Sequence, residues 1–273
     1  MENRSLQDIS SPMQPELQPE LQSDLLFFTS PLITTPHAMF SRQGGISASP
    51  FTGLNLSFSV GDDPAAVRDN REKVKRQLDV QHFASAVQVH GDQVTVVEEL
   101  TSDQEYKESD ALISGQKGVG LLIQQADCQA VLLHDPRRKV IGAVHSGWKG
   151  SVSNIIAKTV RAMQENFGTS PEDLWAVISP SLGPCCAEFV HYEKELPLPF
   201  HQWQVTANYF DFWAISRWQL REAGLRNDHI EAIGTCTVCN EDFFSYRRAN
   251  KTVNRQGGAG VTGRNGSVVT LSL

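Results

Sequence analysis

The sequence predicts one domain of the α/β or α+β class, with mixed β-sheets packed between helices. Short runs rich in Val, Ile and Leu, which are typical of buried strands, mix with amphipathic helical segments along most of the chain. The chain has 273 residues, of which 40% are hydrophobic, so it can bury a large core. Because residues 24–273 contain neither a linker-like stretch nor a solenoid-length repeat, we expect them to fold as one domain.

The first 23 residues have a different composition from the rest. They are rich in Gln, Pro, Glu and Ser and contain a duplicated PELQ motif. Such a segment buries too little apolar surface to offset the entropy of ordering, so residues 1–23 are predicted to be a disordered tail. An apolar stretch after a basic start is absent, and no later run is long enough to span a bilayer. We therefore expect a cytoplasmic protein without a membrane partner.

The N-terminal part of the domain predicts two strands, a loop and a helix. The apolar runs LLFF (25–28) and HAMF (37–40) flank a turn that contains proline and are typical of strands. A glycine loop follows over residues 42–47. Asp63 is a candidate N-cap and Pro64 suits the first helical position, so the apolar spacing of AAVRDNREKVKRQL after them predicts a helix.

The rest of the chain predicts further strands and two helices. Residues 150–167 form an amphipathic pattern that predicts one helix, and a second helix is predicted over residues 215–225. Short apolar runs bounded by Gly, Asp or Pro predict strands. These runs are SAVQVH (85–90), QVTVVEEL (93–100), GLLIQ (120–124), AVLLHD (130–135), VIGAVH (140–145), LWAVISPSL (174–182), HIEAIGT (229–235) and SVVTLSL (267–273).

The charge of the chain argues against nucleic acid as a partner. Its formal net charge is −7, so no excess of Lys and Arg is present to neutralise many phosphates. Any anionic ligand must therefore be bound by local groups. The five cysteines are expected to stay reduced in the cytoplasm, which leaves thiol or metal chemistry open to them. The sequence does not predict an oligomeric state.

Three predicted strand ends carry a reactive side chain. These are His90 in VQVHG, Cys128 in QADC and His145 in AVHSGWKG. Strand ends on a rigid sheet are common positions for functional groups. Two histidines, one cysteine and a water would form a catalytic zinc site with an open fourth position. The alternative is that each residue is structural, with the histidines hydrogen-bonded and the cysteine packed in the core.

The four other cysteines give a weaker signal. Cys236 and Cys239 have the CxxC spacing of half a zinc ribbon or of a redox pair, but no second CxxC or His pair follows. We expect them to have a structural role. Cys185 and Cys186 are adjacent and rarely bridge without strain, so they are expected to be packing residues.

Nine motifs in a fixed order resemble those of the YfiH/YlmD family, whose members are also described as multicopper polyphenol oxidoreductase-like or laccase-like proteins. The resemblance covers nearly everything after the tail and implies a YfiH-like fold. The motifs are HAMFSRQGGIS (37–47), LNLSFSVGDDPAAVRDNR (54–71), QVHGDQV (88–94), SDALIS (109–114), ADCQAVLLHD (126–135), AVHSGWKG (143–150), SLGPCCAEF (181–189), CTVCNEDFFSYRR (236–248) and TGRNGSVVTL (262–271).

The resemblance implies a zinc-dependent purine nucleoside phosphorylase with adenosine deaminase and methylthioadenosine phosphorylase activity. Its implied zinc ligands are His90, Cys128 and His145, with copper as the alternative metal. Purine nucleosides and phosphate would be the substrates. The family is also similar in fold to a toxin deamidase that uses a Cys and His pair, so Cys128 has a rival role as nucleophile.

Cleavage of a nucleoside by phosphate needs groups that hold the anion and assist the leaving purine. Arg42, Arg247 and Arg248 are candidates to hold phosphate, because guanidinium offers paired donors to its oxygens. Lys149 is a further candidate, since GWKG is expected to open a helix whose free N–H groups favour an anion. The alternative for each arginine is a surface ion pair. Arg42 and Cys128 are counted among the candidate catalytic residues.

Deamination would need an activated water and a carboxyl group that relays a proton. The signature H-x-E…P-C-x-x-C of standard zinc deaminases is absent, so a different residue must supply the carboxyl group. Asp127 is the candidate catalytic carboxylate, with a role in orienting a metal ligand as its alternative. Ser47 and Asn55 are candidate substrate-binding residues that could equally cap turns.

Three other functions compete with this interpretation. A copper-dependent phenol oxidase needs clustered histidines, whereas the eight histidines of this chain include no His-x-His pair. A cysteine hydrolase, such as an amidase that edits peptidoglycan precursors, would use Cys128 and His145 and would be inhibited by iodoacetamide. A non-catalytic zinc protein would bind a partner through its tail.

Overall fold

A computed structural model describes residues 20–22, 24–253 and 260–273 of the chain. The strands are β1 (Glu20–Gln22), β2 (Leu25–Phe28), β3 (His37–Phe40), β4 (His82–Val87), β5 (Val94–Val96), β6 (Gln104–Lys107), β7 (Ala111–Ser114), β8 (Val119–Gln125), β9 (Gln129–Asp135), β10 (Val140–Ser146), β11 (Trp175–Ile178), β12 (Gln204–Thr206), β13 (Tyr209–Phe210), β14 (Ile230–Ala232) and β15 (Asn265–Thr270). The α-helices are α1 (Pro64–Leu78), α2 (Trp148–Val152), α3 (Ile155–Phe167), α4 (Tyr192–Glu195), α5 (Phe212–Glu222) and α6 (Tyr246–Val253).

The strands form two large mixed sheets and one small hairpin. The seven-stranded sheet has the order β1-β2-β3-β15-β8-β4-β6, and the six-stranded sheet has the order β14-β11-β9-β10-β7-β5. In the first sheet β4 runs parallel to β6 and β8. In the second sheet β11 runs parallel to β14, and β5 runs parallel to β7. The chain crosses from one sheet to the other between β8 and β9, over residues 126–128.

The two sheets pack face to face between layers of helices. Because successive strand residues point to opposite faces, neighbours on one strand enter different parts of the core. In β8, Leu121 joins a cluster that contains residues of both sheets, whereas Leu122 packs in the cluster that contains Val74 of α1. In β9, Leu132 lies between the sheets and Leu133 packs in the cluster that includes α3. The predicted fold class, mixed sheets between helices, is confirmed.

Several predicted elements are confirmed near their expected bounds. Strands β2, β3, β8, β9 and β10 lie where the apolar runs predicted them, and α1 begins at Pro64 after its N-cap Asp63. The Asp63 side chain accepts a hydrogen bond from the backbone N–H of Ala65, as an N-cap does. The sequence pattern missed β6 and β7, and β5 covers only part of the predicted strand over residues 93–100.

The helix predicted over residues 150–167 is wrong in one respect, because two helices occupy this region. Helix α2 ends at Val152, and α3 begins at Ile155 after Asn154, whose φ is +55°. The Asn154 side chain accepts a hydrogen bond from the backbone N–H of Ala157 and so caps the second helix. Asparagine tolerates the left-handed region better than most residues, which explains the break at this position.

The predicted disordered tail lies mostly outside the described residues. Its segment Glu20–Gln22 is described and forms β1, which pairs antiparallel with β2 at the edge of the seven-stranded sheet. The edge of β2 offers this segment backbone partners that composition does not reveal. None of the helices in the described ranges combines the length and apolarity that a membrane crossing requires.

The layer between the sheets should dominate the stability of the fold. Leu132 is completely buried in it, whereas the side chain of Leu198 is 78% exposed. We expect Leu132→Ala to lower the free energy of unfolding by about 2–5 kcal/mol, because it leaves a cavity. The matched variant Leu198→Ala should change it by less than about 0.5 kcal/mol. Denaturant unfolding measures both values, and equal effects would contradict the assigned core.

Candidate functional site

Three side chains that suit a metal ion meet at one end of the two sheets. His90 follows β4 of the seven-stranded sheet, and His145 lies near the end of β10 in the six-stranded sheet. Cys128 lies on the connection that crosses between the sheets. Their ligand atoms all lie within 4.8 Å of one another. The structure thus brings together the three residues that the sequence analysis selected as metal ligands.

The geometry of these donors fits a small thiophilic metal ion. The Sγ atom of Cys128 lies 3.7 Å from Nε2 of His90. Tetrahedral zinc, with a Zn–S distance of about 2.3 Å and a Zn–N distance of about 2.0–2.1 Å, would separate sulfur and nitrogen by about 3.5–3.6 Å. The rings of His90 and His145 meet edge to face, with centroids 4.9 Å apart. Imidazole and thiolate also suit copper, so this donor set does not identify the metal.

A buried carboxylate, Asp110, organises the donors. It is completely buried, and it accepts hydrogen bonds from the backbone N–H groups of Val89, His90 and Gly91. Its Oδ1 also lies 2.8 Å from Nδ1 of His145, which leaves Nε2 of that ring for a metal or for Cys128. A carboxylate that orients a ligating histidine in this way is common at metal sites. Asp110 was not among the predicted site residues, although it lies in the motif SDALIS.

The backbone conformation around the three donors allows their side chains to lie close together. His90 has a φ of +60° and Asp127 a φ of +87°, a region that residues other than glycine rarely adopt. Such strain is often found at functional sites. A Cβ on Gly147 would lie 3.0 Å from both Sγ of Cys128 and Cδ2 of His90. Glycine at this position therefore leaves the space that the three donors need.

Without a metal ion, Cys128 and His145 favour a charged pair. Burial acts to raise the pKa of the Cys128 thiol, but His145 and His90 outweigh burial and lower this pKa to about 6. Burial likewise acts to lower the pKa of His145, yet Cys128 and Asp110 raise it to about 9. Between these values the favoured state is a thiolate next to an imidazolium. A thiolate is both the metal-binding and the nucleophilic form of cysteine.

An aromatic cavity opens on one side of the donors. It has a volume of about 440 Å³ and is walled in part by Trp148, Phe189 and Phe212. It reaches His90 and Cys128. Flat aromatic walls of this kind suit a planar heterocyclic ligand, which can stack against them.

A polar cavity opens beside the same donors. Its volume is about 430 Å³, and Gln88, Gln124 and Arg264 contribute polar groups to it. Like the aromatic cavity, it reaches His90 and Cys128. The two cavities therefore share these two donor residues, so one ligand could contact both cavities across the donors.

Arg264 supplies positive charge to the polar cavity. Burial lowers the pKa of its guanidinium, while Cys128, Tyr246 and Asp127 act to raise it. Its Nη1 donates to the backbone carbonyls of Thr262 and Gly263. Guanidinium stays charged in proteins and suits the oxygens of an anion. Arg264 was not among the predicted site residues, although the motif TGRNGSVVTL contains it.

Asp127 is fixed in place by hydrogen bonds to both of its carboxylate oxygens. Oδ1 accepts from the hydroxyl of Thr237 at 2.7 Å, and Oδ2 accepts from the backbone N–H of Arg247 at 2.6 Å. These contacts favour the positioning role that the sequence left open over the role of proton relay. The Arg247 side chain itself lines the aromatic cavity, and its Nη1 donates to the carbonyl of Glu188.

Two of the predicted anion-binding arginines bond to backbone carbonyls in the structure. The guanidinium of Arg248 donates to backbone carbonyls, which gives it a structural role; the acceptors are Thr237, Val238, Asn240 and Phe243. Arg42 donates to the carbonyl of Thr52 and lies over the ring of Phe244, 4.7 Å from its centroid. Among the described residues that line the two cavities, neither arginine occurs.

Three predicted substrate-binding residues are likewise absent from the described lining of the two cavities. Ser47 is buried and accepts from Asn70, and Asn55 is completely buried with its amide bonded to Ser57 and Asp62. Both side chains hold loops together, as the alternative interpretation of turn capping implied. Lys149 does lie on a helix that GWKG opens, α2, but its exposed side chain is absent from the described lining of both cavities.

Comparison with known proteins reveals similarity over nearly the whole chain. A profile of the family described as "multi-copper polyphenol oxidoreductase laccase" matches residues 36–272. A protein of Deinococcus radiodurans named purine nucleoside phosphorylase is 35% identical over 252 residues, covering 89% of this chain and 91% of its own length. Purine nucleoside phosphorylase YlmD of Geobacillus stearothermophilus is 30% identical over 234 residues, or 79% of this chain and 85% of the relative.

Solved structures give the same result. The crystal structure of YlmD from Geobacillus stearothermophilus superposes with a TM-score of 0.82 and 28% identity, covering 95% of this chain and 100% of that chain. The crystal structure of the hypothetical protein YfiH of Bacillus licheniformis superposes with a TM-score of 0.80 and 29% identity, covering 93% of this chain and 99% of that chain. The fold is therefore shared with both.

Loss of the Asp110 carboxylate should weaken metal binding. We expect Asp110→Asn to lower metal affinity by about 10–100-fold, because the amide cannot hold the imidazole of His145 as the carboxylate does. Asp92→Asn is the control, since Asp92 is a half-exposed carboxylate that pairs with Lys158. Competition with a chromogenic zinc chelator measures both. Equal affinity in Asp110→Asn and the wild type would contradict the orienting role.

The charged pair predicts how Cys128 reacts in metal-free protein. Because its pKa is lowered to about 6, the thiolate should dominate at pH 7, and alkylation by iodoacetamide should follow a midpoint near this pKa. Zinc should protect Cys128, and His145→Ala should shift the midpoint upward. Mass spectrometry of the peptide that contains Cys128 reports the rate. A midpoint near the ordinary thiol value in wild-type protein would show that the pair does not form.

Proposed function

Because this chain belongs to the multi-copper polyphenol oxidoreductase laccase family, to which the YfiH and YlmD resemblance pointed, we propose that it is a zinc-dependent purine nucleoside phosphorylase. It would cleave adenosine, inosine and methylthioadenosine with phosphate. The observation that carries this proposal is the junction of an aromatic cavity and a polar cavity that contains Arg264, at His90 and Cys128. The relatives from Deinococcus radiodurans and Geobacillus stearothermophilus bear the name of this activity.

The two cavities would bind the purine base and the phosphate separately. A purine base would stack in the aromatic cavity against Trp148 or Phe189, because a flat π system gains contact area there. Phosphate would bind in the polar cavity beside Arg264, whose paired donors fit its oxygens. The bond between base and ribose would then lie next to Cys128. The negative charge of phosphate would be neutralised by a local group such as Arg264, because the protein as a whole is acidic.

The residues of this chain would divide the chemistry between them. Phosphorolysis forms a bond from a phosphate oxygen to C1′ of the ribose and breaks the bond from C1′ to the purine nitrogen. Arg264 would hold the nucleophile, and the aromatic walls would fix the base. His90, Cys128 and His145 would hold zinc, which would supply Lewis-acid polarisation to the bound substrate. Asp110 would keep His145 in the tautomer that presents Nε2.

Zinc is the proposed metal because imidazole and thiolate are its usual ligands, and three protein ligands leave the open position of a catalytic zinc site. Copper is the alternative, and the family description refers to it. A multicopper oxidase needs several histidine-rich centres. Among the described residues, one group of potential metal ligands contains histidine, and it is the set of His90, Cys128 and His145.

Adenosine deamination belongs to the same proposal as a second activity. Adenosine would occupy the same aromatic cavity, and loss of the amino group needs water in place of phosphate. Release of inosine and ammonia from adenosine in phosphate-free buffer would reveal it.

A cysteine hydrolase is the second candidate, favoured by one observation. Asp110, His145 and Cys128 form a chain in which a carboxylate orients a histidine next to a thiolate of lowered pKa. This order resembles the orienting group, base and nucleophile of cysteine hydrolases. The two functions differ in their need for metal, because a nucleophilic thiolate must be free of it.

Phosphate-dependent cleavage of inosine tests the proposal. We expect release of hypoxanthine only with phosphate, loss of activity after chelation and recovery with zinc. Arg264→Gln should raise the KM for phosphate by about 10–100-fold, because a charged hydrogen-bond donor is lost. Arg226→Gln is the control, since Arg226 is exposed and pairs with Asp228.

Two outcomes would decide against the phosphorylase. Cleavage that persists without phosphate or after chelation would exclude the proposed role of metal and anion. Activity on an amide substrate that iodoacetamide abolishes and chelators leave intact would favour the cysteine hydrolase.

A further inference from the structure

The four cysteines other than Cys128 form one cluster. Cys185, Cys186, Cys236 and Cys239 each place a sulfur within 4.8 Å of the other three. The two pairs lie far apart in sequence and were predicted separately, with structural or packing roles. The fold joins them, since the loop before α4 and the loop before α6 meet here.

The sulfur positions suit a tetrahedral metal ion. Sγ of Cys239 lies 3.6 Å from Sγ of Cys185 and 3.5 Å from Sγ of Cys186. Four thiolates around zinc, each at about 2.3 Å, would lie about 3.8 Å from one another. The two separations from Cys239 are close to this value, and both exceed the S–S bond length of about 2.05 Å.

Backbone amides point at one of the sulfurs. Sγ of Cys236 accepts from the backbone N–H of Gly183 at 3.3 Å, and the N–H groups of Val238 and Cys239 also face it. Amide donors stabilise the anionic form of a sulfur, which is the form that binds a metal. The turn from Cys236 to Cys239 therefore has the shape of a CxxC metal-binding turn.

A nearby cation suits the charge of such a centre. Zinc with four thiolates carries a net charge of about −2. The guanidinium of Arg248 donates to the carbonyls of Thr237, Val238 and Asn240, so its charge lies within the same loop. A fixed positive charge in the same loop favours an anionic centre.

From these observations we propose that Cys185, Cys186, Cys236 and Cys239 hold a second metal ion, zinc, in a closed four-thiolate site. All four ligands come from the protein, so no position remains open for a substrate, and the site is structural. It is separate from the His90, Cys128 and His145 set and does not depend on the proposed phosphorylase activity.

The site would brace the loop that positions the candidate active site. Thr237, between two of the cysteines, donates its hydroxyl to Asp127, and Leu182 donates its N–H to the carbonyl of Asp127. Asp127 precedes Cys128 directly. A metal that joins the two cysteine loops would thus hold Asp127 from both sides.

Metal analysis of full-length protein purified under reducing conditions tests the proposal. We expect about two zinc ions per chain in the wild type and about one in His90→Ala/Cys128→Ala, which lacks the other set. Cys236→Ser/Cys239→Ser should also retain about one. Combining all four substitutions should remove both. The zinc content of His90→Ala/Cys128→Ala depends neither on a nucleoside assay nor on the metal of the other set, so failure of the proposed function leaves that value unchanged.

A second measurement tests the proposal even if the variants that lack cluster cysteines fail to fold. X-ray absorption on zinc-loaded His90→Ala/Cys128→Ala, which keeps all four cysteines of the cluster, should show about four sulfur ligands at about 2.3 Å. Nitrogen or oxygen ligands in that spectrum, or no zinc in this variant, would overturn the proposal. So would a disulfide between cluster cysteines in protein kept reduced, detected by mass spectrometry.

Discussion

The buried carboxylate of Asp110 is the contact on which the rest of the site depends. A carboxylate removed from water is costly unless its lone pairs are used, and Asp110 uses its oxygens on three backbone amides and one imidazole. Burial acts to raise its pKa, but His145 and these amides outweigh burial and lower it. The same contacts fix the loop of His90 and the ring of His145, so one residue sets the positions of two donors.

The contacts of the donors also explain why the site lies where the sheets meet. His90 extends from one sheet, His145 belongs to the other, and Cys128 lies on the crossing between them. The relative position of the donors is therefore set by the packing of the apolar layer between the sheets, which is completely buried at residues such as Leu121 and Leu132. Close packing of such a layer resists small displacements.

The sequence predicted the parts of this structure that depend on local pattern. Strands such as β8 and β9 and the capped start of α1 followed from apolar runs and from Asp63 and Pro64. The donor residues could be selected because each ends a strand run with a reactive side chain. Partners distant in sequence could not be predicted in this way. Asn55 and Arg248 have the right chemistry for a ligand but bond to neighbouring backbone instead, and the cysteine cluster joins loops that no spacing rule connects.

The net negative charge of the chain and the guanidinium in the polar cavity act on an approaching anion in opposite directions. With a net charge of −7, the protein repels an anion at long range, although Arg264 attracts it at short range. Added salt screens both, but it screens the distant repulsion more completely than the partly buried attraction. For any small anion that enters this cavity, the rate of encounter should therefore rise with ionic strength, opposite to the behaviour of enzymes that steer anions electrostatically.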